Sequence, residues 1–412
     1  MAFDLQYTQT FSQRGQLTAD ANPMSQHTTK HAEIYSAIII GAGQAGVALS
    51  HCLQQRGVTH LVLEKDRPFA EWYDRRWDSF AMNTPNWMNV LPGEQQPFAP
   101  QAGRKDFGTL KDAQEYFEAY LRVARPPLRI EEVKSVGVNR DVSWQVTTNR
   151  GIYNTDNIAI CTGHARHKKI PPMADDVPGH VPQLHSSEYR NPMQIETAHV
   201  LVVGSGSSGV QICHELAACD RFDTVYLAGS GNFTLPWSIL GISTYSLMRA
   251  LGVFKITRDS WLGRMMFPRL LKKGDPATPP SPRRLDKNYG VRRFGRVSAA
   301  NCTEIHCSDG QVIPTQDLSV VWCTGFRASY DFLDVYVRDG VLDKDGVPIH
   351  QRGVVAKAPG LYFVGLRFQH TFVSQDICGV GQDAQYVAEQ IVARSVGVAR
   401  GGSGWISPNP AA

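Results

Sequence analysis

The chain begins polar and turns sharply apolar. Residues 1–32 hold no apolar core of signal-peptide length, and they are expected to form a flexible extension with no sorting role. From Ala37 the pattern becomes a short apolar strand, AIII, then a turn through Gly41, Gly43 and Gly46, then an Ala- and Leu-rich helix ending at Gly57. A second apolar run, Leu61 to Leu63, delivers Glu64. Strand, glycine turn, helix and strand with a terminal acid is the pattern of a dinucleotide-binding unit. The first glycine permits the tight turn, the second lets backbone approach a pyrophosphate, and the third lets the helix lie close to the sheet. Phosphates then meet unpaired N–H groups at the helix N-terminus, and Glu64 can accept from a ribose. Glycine-rich turns also arise as plain structural features, but here the flanking elements and the acid agree.

The theme returns at His199 to Gly209, HVLVVGSGSSG, with Gly204, Gly206 and Gly209 leading into a helix over Val210 to Ala218 and a strand over Thr224 to Leu227. The two turns are too far apart to share one nucleotide, so two binding units are expected. Between them the periodicity predicts a helix over Thr109 to Arg125, opened by a Thr109/Asp112 capping pair and stopped by Pro126 and Pro127. Short strands follow at Lys134 to Asn139 and Ser143 to Thr148, ending in NIAICTG at Asn157 to Gly163. That Cys-Thr-Gly is echoed in LSVVWCTGF, Leu318 to Phe326. Copies on either side of the second unit suggest where the chain leaves and re-enters a host domain. The host is expected to resume at Thr315, include PGLYFVG at Pro359 to Gly365, and end in a helix near Gly381 to Arg394 whose start carries Asp383.

Length supports this division, since 412 residues exceed what one core usually serves. A formal charge of +4 is too small to argue for nucleic acid. The most basic window, Arg264 to Arg293, also holds Pro and Gly in quantity and reads as a solvated loop. No apolar run approaches a membrane span, and a cytoplasmic location is expected. The eight cysteines include no CxxC pair, which leaves neither a zinc ribbon nor a thioredoxin-type dithiol. No metal site is expected.

Two dinucleotides held face to face most economically pass a hydride from a nicotinamide to a flavin. Disulfide chemistry would need a cysteine pair beside the flavin, so oxygen is the leading acceptor of the electrons and quinone the next. The predicted fold is α/β, a two-dinucleotide-binding-domain flavoprotein. Its Rossmann-type FAD domain (33–166 and 315–400) is interrupted by a Rossmann-type NAD(P)H domain (167–314). An apolar insertion spans 237–289, and a loose tail spans 401–412.

Taken together, GAGQAG, WYDRRWDSFAMNTPNW with LPG, ICTG, HSSEYR, GSGSSG, PGLYFVG and GVGQDA resemble bacterial flavin-containing monooxygenases, in a branch related to CzcO, over residues 34–395. The resemblance implies that Gly41, Gly43, Gly46, Glu64 and Lys65 serve the ADP half of FAD. Trp72, Arg76 and Trp77 would lie along its pyrophosphate and adenosine side, and Asp383 beside its ribityl phosphate. Gly204, Gly206, Ser207, Ser208 and Gly209 would hold NADPH. His185 and Tyr189 match the family's segment between the domains, FxGxxxHxxxY, although Gly179 and Val181 replace its Phe and Gly. Asn83 resembles the asparagine placed near the flavin edge, where a C4a-hydroperoxide must be hydrogen-bonded, although its position before Pro85 also suits an Asx turn. His370 falls where the family's chain passes the flavin ring and is a candidate for the substrate pocket.

After the strand ending at Leu227 no arginine waits for a 2′-phosphate and no carboxylate selects NADH. Ser207, Ser208, Ser230 and Asn232 could supply neutral bonds, which leaves NADPH favoured and NADH open. The insertion could be a lid, a dimer contact or a peripheral membrane contact, a lid being preferred. The implied activity is transfer of one oxygen atom from O2 to a small apolar or aromatic substrate, by N-, S- or C-oxygenation or Baeyer–Villiger chemistry, in a monomer or homodimer. A flavin reductase of quinones and a nucleotide-sensing accessory flavoprotein are the alternatives.

Overall fold

The computed structural model describes residues 33–93, 107–139, 143–163, 167–231, 234–273, 277 and 279–399. The N-terminal extension, Asn232 and the tail 401–412 lie outside the described residues.

Five parallel strands make the first sheet, in the order Leu361–Phe363, Ile158–Ile160, Ala37–Ile40, His60–Glu64 and Leu128–Ile130. Parallel strands are covered on both faces and therefore read as unbroken apolar runs, which is why AIII and LVL were legible. The pleat divides their side chains. Ile39 and Val62 face the helices Gln44–Gln54, Leu110–Ala124 and Ile377–Ala399 through Leu49, Phe117 and Ile391. Ile38, Ile40, Leu61 and Leu63 face the other way, onto Val136, Trp144, Val146 and Tyr153 of an antiparallel layer. The capping pair forms as expected. Asp112 N donates to Thr109 Oγ1 at 3.2 Å, and Thr109 N donates to Asp112 Oδ2 at 2.7 Å.

The second sheet repeats the first. Its parallel order is Gln183–His185, Leu318–Trp322, His199–Val203, Thr224–Ala228 and Arg292–Phe294. The helix Ser207–Ala218 covers one face. The antiparallel strands Val297–Ala300, Glu304–Cys307 and Val312–Pro314 cover the other. In both sheets the strand beside the glycine strand is the one that ends in Cys-Thr-Gly.

This corrects the expected return to the host at Thr315. Leu318–Trp322 pairs in parallel with His199–Val203 and is buried along its whole length, so it belongs to the second sheet. The Cys-Thr-Gly echo therefore marks a repeated unit. The seam lies where His167–Lys168 and Phe326–Arg327 run antiparallel, the outgoing chain beside the returning one. The closing helix also starts earlier than expected, at Ile377, which places Asp383 in its second turn.

The insertion folds as a hairpin, Ser238–Ile239 with Ile242–Ser243, and three helices, Thr244–Ala250, Trp261–Lys273 and Pro282–Tyr289. Its apolar residues do not share one buried face. Phe267 is buried and stacks on Phe368 at 5.1 Å, while Leu240 at the hairpin tip and Trp261 are exposed. Among the described residues no helix is long and apolar enough to cross a membrane.

Candidate active site

Both glycine turns open onto one cavity of about 1110 Å³. At the first, Gly41 has φ +103°, and a Cβ there would lie 2.7 Å from the Cys161 carbonyl oxygen. At the second, Gly204 has φ +115°, and its Cβ would lie 2.3 Å from the Cys323 carbonyl oxygen. Each turn thus rests on the Cys-Thr-Gly of its own sheet. Gly46 and Gly209 do the same work one helical turn later, where a Cβ would come 1.8 Å from the carbonyl oxygen of Gly41 and Gly204 respectively. Gly43 and Gly206 cap the two helices in extended conformation with no side-chain cap. Their first-turn N–H groups are therefore left for an anion, and the space over Gly43 is open.

Around the first turn, Glu64 accepts from Ala42 N at 2.7 Å and from Asp66 N at 3.1 Å, so its carboxylate is fixed beside the glycines. Lys65, Trp72 and Arg76 line the cavity with it. The Arg76 guanidinium lies 5.4 Å over both Trp72 and Phe80. Burial pulls its pKa down, with Glu71 opposing, and its Nε is buried without a hydrogen-bond partner. A buried cationic donor with an unused N–H beside an open helix N-terminus suits a diphosphate. The N-terminus of the closing helix faces the same space through Gln375, Asp376 and Ile377, and Gln44 Nε2 donates to Gln375 O at 2.6 Å.

Asn83 lines the cavity where the two units meet. Its Oδ1 accepts from Gln211 Nε2 at 3.0 Å, and its carbonyl accepts from the Tyr245 hydroxyl at 2.6 Å. From the second unit come Gly204, Gly206, Ser207, Ser208 and Ser230.

Five of the expected side chains stand apart from this wall. Trp77 is buried in the core with its ring edge-on to Phe80 at 5.2 Å, because the chain turns it inward where Arg76 turns outward. His185 bonds Ser187 Oγ at 2.9 Å and the Gly325 carbonyl at 3.0 Å, and burial lowers its pKa. Tyr189 is fully buried and donates to Glu215 at 2.8 Å. His185 thus braces the seam beside Phe326, and Tyr189 ties its segment to the helix Ser207–Ala218. The next residue, Arg190, donates to the Arg76 carbonyl at 3.0 Å, so the segment supports the cavity wall from behind. His370 accepts at its carbonyl from Arg258 N at 2.7 Å, and its Nδ1 is buried without a partner. Asp383 is buried in the closing helix's second turn, 3.9 Å from Arg352 Nε.

The matching family model, pyridine nucleotide-disulphide oxidoreductase, covers residues 38–235. A CzcO-like oxidoreductase of Geobacillus kaustophilus (strain HTA426) is 33% identical over 361 residues, 87% of this chain and 99% of the relative. The chain belongs to the CzcO-like branch of the flavin-containing monooxygenase-like family. Indole-3-pyruvate monooxygenase YUCCA4 of Oryza sativa subsp. japonica is 27% identical, covering 89% of each chain. The solved flavin-containing monooxygenase from Stenotrophomonas maltophilia matches the fold with TM-score 0.67 and 20% identity over 88% of this chain and 99% of that one.

Two cavity residues of this flavin-containing monooxygenase-like enzyme, Tyr245 and Arg296, carried no motif, and neither did Gln211, which does not line the cavity but bonds Asn83, which does. Only Gln211 left a signal, four residues after Ser207 and hence on the same side of its helix. Asp383 yields a prediction of its own. Burial raises its pKa from 3.8 to about 6, opposed by the Ser374 hydroxyl and by Arg352. A carboxyl whose folded pKa is raised binds more protons in the native state, so stability falls as pH climbs from about 4 through 6. The full penalty above that range is roughly 3 kcal/mol. Asp383→Asn is expected to stabilise the apoprotein by about 1–2 kcal/mol at pH 7.5, since Arg352 loses its partner in exchange, and by nothing near pH 4. Urea denaturation at both pH values measures it, and a pH-independent effect would refute the linkage.

Proposed function

We propose that this enzyme binds FAD at the first glycine turn and NADPH at the second, and uses them to place one atom of O2 into a small apolar or aromatic molecule. The supporting observation is that both turns open into one cavity, with the Asn83 side chain at their junction. The overall balance is substrate, O2, NADPH and a proton giving oxygenated substrate, water and NADP+. When bound, the flavin supplies hydride acceptance and oxygen activation. The chain's part is placement. The Gly41–Gly46 turn and Arg76 would hold the diphosphate, the N-terminus of Ile377–Ala399 would bring its positive dipole end to the same cavity, and Asn83 would present a neutral donor that does not give up its proton.

The insertion supplies the apolar end of the chamber. Tyr245, Met248 and Phe254 line the cavity together with Phe372. Phe107 packs on Trp237 at 4.0 Å and lies 6.2 Å from Tyr245. Burial raises the Tyr245 pKa, which keeps its hydroxyl a donor to Asn83. An aromatic wall of this kind excludes water and selects flat or greasy substrates, which favours amines, sulfides, ketones or activated rings with apolar bodies.

The test is anaerobic reduction with NADPH followed by mixing with O2 in a stopped-flow spectrometer. A blue-shifted flavin absorbance persisting for seconds before reoxidation is the expected result. Immediate reoxidation with stoichiometric peroxide, together with fast quinone reduction, would replace oxygenation with a reductase function.

A further inference from the structure

Gln211 belongs to the helix of the second nucleotide unit, yet it reaches across to the first. Its Nε2 donates to the Ala81 carbonyl at 3.2 Å and to Asn83 Oδ1 at 3.0 Å, while its Oε1 accepts from Ala81 N at 3.2 Å. The two ends of a glutamine amide are hard to tell apart by shape, but here the chemistry decides. Ala81 offers one backbone N–H and one C=O that cannot exchange roles. Turning the Gln211 amide over would set N–H against N–H and oxygen against oxygen. One orientation satisfies both contacts, and in that orientation Gln211 has an N–H left for Asn83. Asn83 must therefore present its oxygen to Gln211.

The consequence lies at the other end of Asn83. With Oδ1 committed, Nδ2 points away from Gln211. It makes no hydrogen bond among the described residues, although Asn83 lines the cavity. The backbone around it is held from three sides. Met82 N donates to the Gly108 carbonyl at 2.9 Å, the Tyr245 hydroxyl holds the Asn83 carbonyl, and Thr84 is tied to Asn89 at 2.7 Å. Rotation about the Asn83 side chain is thus the freedom that remains, and Gln211 removes it.

We infer that Gln211 is a positioning residue that locks the Asn83 amide with its N–H donors toward the cavity. This rests on the oxygenase reading, in which Asn83 must donate. It also assigns the helix carrying Ser207 and Ser208 a second task, because the nucleotide unit at one end of the cavity sets the hydrogen-bonding sense of a group belonging to the other unit.

The decisive variants are Gln211→Glu, which offers an acceptor where Asn83 now finds a donor, and Gln211→Leu, which removes the bonds to Ala81 and Asn83 at similar size. Gln211→Glu is expected to turn the Asn83 amide over and to raise peroxide released per NADPH consumed about tenfold. The anaerobic rate of flavin reduction and the FAD dissociation constant should stay within about threefold. In the apoprotein, the side-chain 15N amide pair of Asn83, identified by its loss in Asn83→Asp, should shift in Gln211→Glu and split or broaden in Gln211→Leu. If coupling and the amide resonance match wild type in both variants while Asn83→Leu still uncouples, Gln211 does not orient Asn83, and the oxygenase reading survives. If wild type itself returns all its electrons as peroxide with every substrate class, the oxygenase reading falls, and the apoprotein resonance alone decides whether Gln211 locks Asn83. Should Gln211→Glu fail to fold, Gln211→Leu carries both readouts.

Discussion

Gly46→Ala is expected to purify colourless, with FAD affinity reduced at least about a hundredfold, while Gly209→Ala is expected to purify yellow and fail at reduction by NADPH. The cause is the same at both positions. A Cβ on Gly46 would sit 1.8 Å from the Gly41 carbonyl oxygen, and a Cβ on Gly209 equally close to that of Gly204. Backbone stands on both sides of each contact, so no side-chain rotation relieves it. The helix must lift away from the strand, but Leu49 and Leu53 of one helix and Ile212 and Leu216 of the other are fully buried against their sheets. Overpacking of this kind costs about 1–3 kcal/mol or more, and 2.7 kcal/mol is a hundredfold in affinity. Because each clash is confined to its own turn, the losses should separate. Gly46→Ala should still bind NADP+ by calorimetry, and Gly209→Ala should still be reduced by dithionite. Full flavin retention in Gly46→Ala would show that the first turn does not carry the flavin.

The glycine turns were legible because their requirements are local. Strand, turn, helix and acid follow one another in the chain, and parallel strands announce themselves as apolar runs. The limit of the second unit was not legible, since Leu318–Trp322 looks the same whichever sheet it joins and its partner, His199–Val203, is far away in sequence. Trp72, Arg76 and Trp77 lie within six residues of one another in a stretch of sequence without clear periodicity, and nothing in their order separates the two that line the cavity from the one that fills the core. Gln211, Tyr245 and Arg296 escaped for a different reason. Gln211 is brought to Asn83, and Tyr245 and Arg296 to the cavity, by tertiary folding from an element that has another job nearby: a nucleotide helix, an insertion, and the exit of a fifth strand.

The same distance in sequence matters most at the adenosine ribose of NADPH, which carries the 2′-phosphate. After the strand Thr224–Ala228 the chain offers Gly229, Ser230 and Gly231, without an arginine for a 2′-phosphate. The neighbouring strand supplies what the local sequence lacks. Ala228 pairs with Phe294, and Gly229 N donates to the Phe294 carbonyl at 3.2 Å. Two residues on, Arg296 lines the cavity together with Gly229 and Ser230. Its backbone N–H donates to Ser308 Oγ at 3.0 Å, which fixes the turn that carries it. A guanidinium meeting a phosphate contributes about 1.5–3 kcal/mol as a charge-assisted bond, so Arg296→Ala should raise the KM for NADPH roughly 10- to 100-fold. NADH has no phosphate there, and its kcat/KM should change by no more than about twofold. Arg296→Lys should recover only part of the NADPH preference, because an ammonium keeps the charge and loses the paired donors, and rising salt should weaken what remains. If the ratio of NADPH to NADH use is the same in Arg296→Ala and wild type, the neutral donors at Ser207, Ser208 and Ser230 make the selection, and the arginine serves only to hold the end of its strand.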